Sequence, residues 1–307
     1  MLLFHIYWIT MTFSTFLKTN INKSKYSRME LIAQLNLFHS EFQNLDSVTL
    51  SRWITNKTIP SIHKQLLICL YFKQDLYSFI KNKNYTSNKT NLNFEKKVKT
   101  TMESVENVIQ NVSYFYNNSH KSEYIVTLNN KLEYRNKFKV FYNNFNLYKD
   151  FFRFIDENAL SPQTITCEER INSIIVSHDS LAFVDKKYKT FFEKFFEVNI
   201  DIDEFWFANV GFHRSKESLN TSFTLMVYWL IRNNSYNFLS LVRGEDAFNN
   251  YQDLGYTQIR NTIVEGNERF YLCRANLLEI LSNQYVISEV SRLFNELNIS
   301  NIFSDNV

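Results

Sequence analysis

The sequence predicts an α+β chain of two modules, an all-helical front followed by an α/β rear. Three observations predict it. Up to about residue 80, apolar residues recur at spacings of three and four, the mark of buried helix faces. Residues 81–99 (KNKNYTSNKTNLNFEKKVK) are polar, rich in Lys and Asn and nearly free of branched apolar side chains, as a linker is. From about residue 123, short β-branched or aromatic runs alternate with helical stretches. The predicted division is 11–80 for the helical domain, 81–122 for a linker and connecting helix, and 123–307 for the α/β domain.

The front helices are anchored in turn by Phe16 and Leu17, by Leu31, Ile32, Leu35 and Phe38, by Leu50, Trp53 and Ile54, and by Leu66, Leu67, Leu70 and Tyr71. Phe42 keeps the spacing of Leu35 and Phe38, so the second helix is expected to run on through it. Residues 101–117 read as a helix and 118–122 as a loop. Strands are expected at 124–128, 174–176, 205–210, 238–242, 257–264 and 270–272, with helices at 186–196 and 219–232 between them. The aromatic stretches 141–154 and 191–207 read as core.

Composition bounds the function. The chain has 307 residues, 45% of them hydrophobic and 17% aromatic, which excludes wholesale disorder. Four glycines and two prolines exclude a collagen and leave little for a glycine-rich phosphate loop. The net charge of +3 hides an asymmetry: residues 1–100 carry 14 Lys/Arg against 5 Asp/Glu, and residues 101–307 carry 20 against 26. A basic front of +9 points to a polyanionic partner. Cys69, Cys167 and Cys273 are widely spaced, with no C-x-x-C, and read as reduced buried thiols; no metal site is expected. The longest later apolar run, 223–231, is too short for a bilayer, so a cytoplasmic protein without membrane contact is expected. Residues 1–10 (MLLFHIYWIT) lack a basic n-region and a cleavage site. Helical patterning begins at a second Met, Met11, which makes residues 1–10 a candidate extension ahead of the true start.

The most informative stretch is 46–61, DSVTLSRWITNKTIPS. Asp46 is a good N-cap, because its carboxylate accepts from free amide groups at the positive end of the helix dipole. Leu50, Trp53 and Ile54 anchor the helix, and Ser47, Val48, Thr49, Arg52 and Asn56 fall at its leading end and outer face. Those types suit a major groove: hydroxyls adapt, Val48 meets a thymine methyl, and Arg52 grips guanine in a bidentate way. Asn56 tolerates a left-handed turn, and Lys57 and Lys64 suit phosphates. Here the sequence resembles the Cro/repressor (XRE) helix-turn-helix family, whose recognition helix often reads S-x-x-T-I-S-R-W-E-N-G-K-x-x-P-S. The matching residues are Thr49, Leu50, Ser51, Arg52, Trp53, Lys57, Pro60 and Ser61, and residues 26–35 (YSRMELIAQL) look like the family's first motif helix. The likeness covers roughly residues 13–72. It implies that Ser47, Val48 and Arg52 read bases, that Arg28 clamps the backbone, that the partner is double-stranded DNA, and that the chain acts as a homodimer.

A second resemblance lies in residues 247–256, AFNNYQDLGY, after the expected strand 238–242. It is similar to the last signature of the GNAT acyltransferase superfamily, A-x-x-x-Y-x-x-x-G-F. The resemblance implies a GNAT-like α/β domain, with Tyr251 where active members place a general acid. It also implies acyl-CoA as effector or cofactor, with Arg214 and Lys216 at the pyrophosphate. That family binds pyrophosphate with Q/R-x-x-G-x-G/A, where this chain reads Arg214-Ser-Lys-Glu217-Ser-Leu219. Glu217 repels phosphate and the Leu219 side chain blocks close backbone approach. The reading favoured is therefore a rear domain that has lost catalysis, with Tyr251 a packed tyrosine, kept for sensing a small molecule or for dimerisation. His213 stands as a candidate base beside the acyl site. His178-Asp179 and Glu168-Glu169 read as solvated surface charge, and Asp201, Asp203 and Glu204 as a strand-edge loop. Together these readings predict a transcription regulator, with an acyl-CoA-dependent N-acyltransferase carrying an accessory DNA-binding domain as the alternative.

Overall fold

A computed structural model describes residues 12–83, 85, 91–112 and 122–303, with the backbone alone at 91, 92, 104–112 and 300. The expectations about residues 1–10 and Met11, about 84 and 86–90 of the linker, and about 113–121 lie outside the described residues. The chain is mixed α/β and divides into two compact units. The first gathers the described residues up to Asn88 with Leu281–Asn295; the second gathers those from Lys89 to Ile280 and from Glu296 onward.

In the first unit α1 (Phe13–Ser24) starts on the Thr12 cap, and α2 (Arg28–Phe38) on a reciprocal box in which Ser27 and Glu30 cap each other's backbone amides. The second helix does not run on as expected. His39 is extended (φ −156°, ψ 141°), and a short 3₁₀ turn at Ser40–Phe42 follows. Phe42 still reaches the core, fully buried, while Phe38 stays 43% exposed against Tyr71. Then come α3 (Ser47–Ile54), α4 (Ile62–Tyr71) and α5 (Leu76–Lys81), capped by Asp46, Ser61 and Asp75.

The second unit opens with α6 (Asn91–Val112), so the latter part of the expected linker is helical. Val98 and Met102, one helical turn apart, are buried among the Lys and Asn residues that made the segment look like a linker. β1 (Glu123–Asn129), α7 (Lys131–Tyr142), α8 (Asn146–Glu157), β2 (Thr164–Ile171), β3 (Ile174–Val184), α9 (Lys186–Phe196) and β4 (Phe205–Ala208) follow. Next are α10 (Lys216–Arg232), β5 (Asn237–Arg243), α11 (Glu245–Gln252), β6 (Thr257–Gln258), β7 (Ile263–Glu265), β8 (Glu268–Asn276) and α12 (Leu277–Ser282). The single strand expected at 257–264 is thus two short ones. The sheet runs β1-β2-β3-β4-β5-β8-β6, with β7 also paired to β8. β4 and β5 are parallel and every other ladder is antiparallel.

Side-chain alternation gives the sheet two faces. On one, Val184, Phe205, Phe207, Leu239 and Phe270 join Tyr142, Phe151 and Phe192 from α7, α8 and α9 in an aromatic core, as expected for those stretches. On the other, Trp206 meets Trp229 of α10, Cys167 meets Ser222 of α10, and Tyr271 stacks on Phe248 of α11. The expectation of solvated charge at 168–169 and 178 fails on this geometry. Glu168 is fully buried on one face with Lys137 (2.6 Å) and Arg170, and Glu169 is 1% exposed on the other with Arg214 (2.6 Å) and Ser177 (2.7 Å). His178 is 4% exposed and stacks on Phe138. Distant partners supply the compensating charge that adjacent residues in sequence do not show.

α13 (Gln284–Glu296) belongs to the first unit, so the rear module is not the contiguous segment 123–307. Its Ser291 hydroxyl donates to the Ile80 carbonyl (3.0 Å), its Asn295 amide to Lys81 (2.9 Å) and its Ser288 hydroxyl to Tyr85 (3.4 Å). The Ile80 and Lys81 carbonyls at the C-terminal end of α5 gain side-chain donors this way. α14 (Ile299–Ile302) is back in the second unit, where Phe303 bridges Val126 of β1.

Candidate functional site

The helix α3 is short, so its place is set by its cap and its anchors. The Asp46 carboxylate accepts from the Thr49 amide (2.6 Å), and that bond holds its pKa below the usual carboxylate range. Leu50 is fully buried and Trp53 is 5% exposed, while the Ser14 hydroxyl of α1 donates to the Ile54 carbonyl (2.5 Å). Ser47, Val48 and Arg52 are exposed on the remaining surface, Val48 to 62%. Asn56 takes the left-handed conformation (φ 59°), and the Lys57 amide turns back to the Arg52 carbonyl (2.9 Å). Lys57 is exposed, as is Arg28 at the first turn of α2. Two expected DNA contacts sit differently. Thr49 and Lys64 are half-buried and line a cavity of about 330 Å³, floored by Phe42 and Trp53, with Lys64 Nζ 3.8 Å from Glu41.

In the second unit the chain leaving β4 bulges. Leu181 faces Ala208 but His178 faces Phe212, so one extra residue is absorbed between Ala208 and Phe212. Gly211 permits it: a Cβ there would stand 2.7 Å from the His178 carbonyl oxygen and 3.2 Å from Asp179 Oδ1. The close approach lets the His178 amide donate to the Phe212 carbonyl (2.8 Å) and the Phe212 amide donate back (2.9 Å). It carries His213 to Asp179, with Nε2 3.8 Å from Oδ2. Only 14% of the His213 side chain and 20% of that of Asp179 remain exposed. Burial raises the Asp179 carboxyl to about 7 and lowers His213 to about 4 and His178 to about 3. His213 Nδ1 and His178 Nε2 are buried without a hydrogen-bond partner. Tyr251, on α11, is within electrostatic reach: burial first, and then the Asp179 charge, push its hydroxyl well above the usual tyrosine range.

The residues expected at a pyrophosphate are engaged. Arg214 pairs with Glu169, and Lys216, in the first turn of α10, lies 3.3 Å from Glu95 of α6. Lys97 of α6 pairs with Asp253 beyond the end of α11 (2.5 Å), and the Asn250 amide of α11 donates to Thr101 (3.2 Å), so α6 spans both helices. Asp201 and Asp203 take Arg274 and Lys189 as partners. Among the described residues no cluster of His, Cys, Asp and Glu has the makeup of a metal site, and the three cysteines are free and buried. No described helix is long and apolar enough to cross a membrane.

The sequence reading took Asp179 for solvated surface charge, where the structure leaves 20% of its side chain exposed, and it passed over Gly211. The available signal was a glycine directly after a strand, in a chain holding four. Comparison with models of known protein families finds no match, and comparison with curated proteins finds none.

Proposed function

We propose that the chain is a sequence-specific DNA-binding regulator that reads duplex DNA with α3. One observation carries this: Leu50 and Trp53 are turned into the unit while Ser47, Val48 and Arg52 stand exposed on the same two turns. A hydroxyl, a small apolar side chain and a guanidinium in that order suit base edges, and Lys57 and Arg28 suit the flanking phosphates. The basic charge of the front supports the same partner. Like members of the helix-turn-helix family it resembles, the chain would act in the cytoplasm as a homodimer, its two recognition helices about 34 Å apart. Selection from random duplexes with the full chain tests the reading. An enriched motif is expected, and its absence overturns the proposal.

A second reading concerns the second unit. Its sheet has one parallel pair, β4–β5, each strand leading into a helix, α10 and α11, as in the GNAT-like arrangement. Asp179, His213 and Tyr251 are gathered on that side. These observations favour an acyl-CoA site, for sensing or for N-acyl transfer. Calorimetry with acetyl-CoA checks it: heat of binding is expected, and none would remove the reading.

A further inference from the structure

We propose that the cavity beside α3 binds a free α-amino acid with a polar side chain, its carboxylate on Lys64 and its ammonium on Glu41. The cavity exists because α2 stops at His39. The chain bends, lays Phe42 down as a floor, and passes Asn44 and Leu45 on its way to the Asp46 cap of α3. Backbone bonds hold that wall in place: Phe42 donates to His39 (3.0 Å), Gln43 to Ser40 (3.1 Å) and Leu45 to Phe42 (2.8 Å). The Glu41 amide donates to His39 Nδ1 (3.1 Å), which fixes the backbone that carries the carboxylate. On α4, Lys64 sits in the first turn with its amide held by the Ser61 hydroxyl (3.3 Å). Thr49 and Trp53, one turn apart, are the side of α3 that meets the cavity. A wall already ordered loses little freedom when a ligand settles on it.

The lining sets the chemistry of the ligand. At about 330 Å³ the cavity is at the small end of ligand sites, the size for a small metabolite. Its floor is almost wholly covered, Phe42 fully buried and Trp53 5% exposed, so apolar contact contributes little and the walls are polar. Among the described residues Lys64 and Glu41 are each other's only ion-pair partner, at 3.8 Å and with 32% and 43% of their side chains exposed. An exposed pair at that range contributes almost nothing to stability, so it opens at little cost. A ligand with one charge takes one member of the pair and leaves the other unpaired. A ligand with a cation and an anion side by side converts one loose pair into two close ones. An α-amino acid carries that arrangement, and the exposed Asn44 amide and Ser40 hydroxyl suit a polar side chain. Ser47, Val48 and Arg52 remain exposed elsewhere on α3, so an occupant bears on this helix without covering them. A change in DNA affinity on occupancy rests on the DNA-reading role proposed above; the binding site itself does not.

The test uses the full chain labelled with ¹⁵N and follows the indole resonance of Trp53. Titration with L-serine, L-asparagine and L-glutamine is expected to move it, while the Trp206 and Trp229 resonances of the second unit stay in place. L-serinamide, a cation only, and N-acetyl-L-serine, an anion only, are expected to bind about tenfold more weakly or worse. Glu41→Gln and Lys64→Met leave the floor intact, and each is expected to weaken the amino acids about tenfold or more with the rest of the spectrum unchanged. No movement of Trp53 with any of the three amino acids up to about 10 mM overturns the site. Equal binding of the two single-charge analogues, or full affinity in either variant, overturns the charge assignment. With a selected duplex present, a saturating amino acid is expected to change the Kd for DNA about fivefold or more. Amino-acid binding with unchanged DNA affinity overturns the coupling and leaves the DNA-reading role standing. A chain that binds the amino acid and selects no duplex overturns that role and leaves the site standing.

Discussion

Arg52 and Lys57 are five residues apart and are expected to behave differently when removed. Under the proposed DNA-reading role the exposed Arg52 guanidinium meets base edges, so Arg52→Ala should cost roughly 1–3 kcal/mol at one base position and relax specificity there. Lys57→Ala should weaken binding to all duplexes alike and reduce the salt slope by about one. Titrations on a selected duplex and a scrambled one, at several salt concentrations, separate the two. Asp179 makes a prediction about stability. Because burial raises its carboxyl to about 7, the folded chain holds a proton that the unfolded chain has released above about 4. Its contribution is full below that pH and lost as pH rises toward 7. His213 and His178 act in the opposite sense, destabilising the fold below about 6.5, where the unfolded chain takes up their protons. Asp179→Asn removes the first effect alone. Its melting temperature should gain on the wild type between pH 4 and 8, by the equivalent of at most about 4 kcal/mol. Individual residues differed in how legible they were. Asp46 and Asn56 act through their own neighbours and could be read directly, whereas Glu168 and Glu169 owe their burial to Lys137 and Arg214, dozens of residues away.

At the scale of elements, α3 depends on its anchors. Leu50→Ala should destabilise the first unit by about 2–5 kcal/mol, read as a lower urea midpoint, since the side chain is fully buried. Periodicity located α1 to α4 because each buries one face. It misled at α2, where Phe42 keeps helical spacing yet arrives through a 3₁₀ turn after His39 has broken the helix. Spacing alone cannot tell a continuing helix from a chain that bends and returns a side chain to the same core. The linker expectation failed for a related reason. Composition spoke for solvent, while Val98 and Met102 keep one apolar line along α6. Of the strands next to the candidate site β4 was expected, β3 only in its first three residues, short of Asp179, and β2 not at all; the bulge was not expected either, because a one-residue excess shows only when two strands are paired.

At the scale of the whole molecule, the sequence disclosed two modules and the charge difference between them, but not that α13 closes the first. Strand and helix runs are local; the return of a C-terminal helix to an N-terminal unit is a long-range pairing. A chain ending at Asn283 should lose the hydrogen bonds from Ser288, Ser291 and Asn295, and the buried faces of Tyr285, Ile287 and Phe294 with them. Its first unit should then melt earlier in hydrogen exchange, while amides of the β2–β3 ladder keep their protection. Wild-type protection of α5 in the shortened chain would contradict this.

That clasp has a consequence for biosynthesis. The last piece of the first unit leaves the ribosome about 190 residues after Asn88. At elongation rates of about 5–20 residues per second, the nascent helices wait roughly 10–40 s for their closing partner. During that interval the surface meant for α13 is uncovered, and the carbonyls at the end of α5 wait for their side-chain donors.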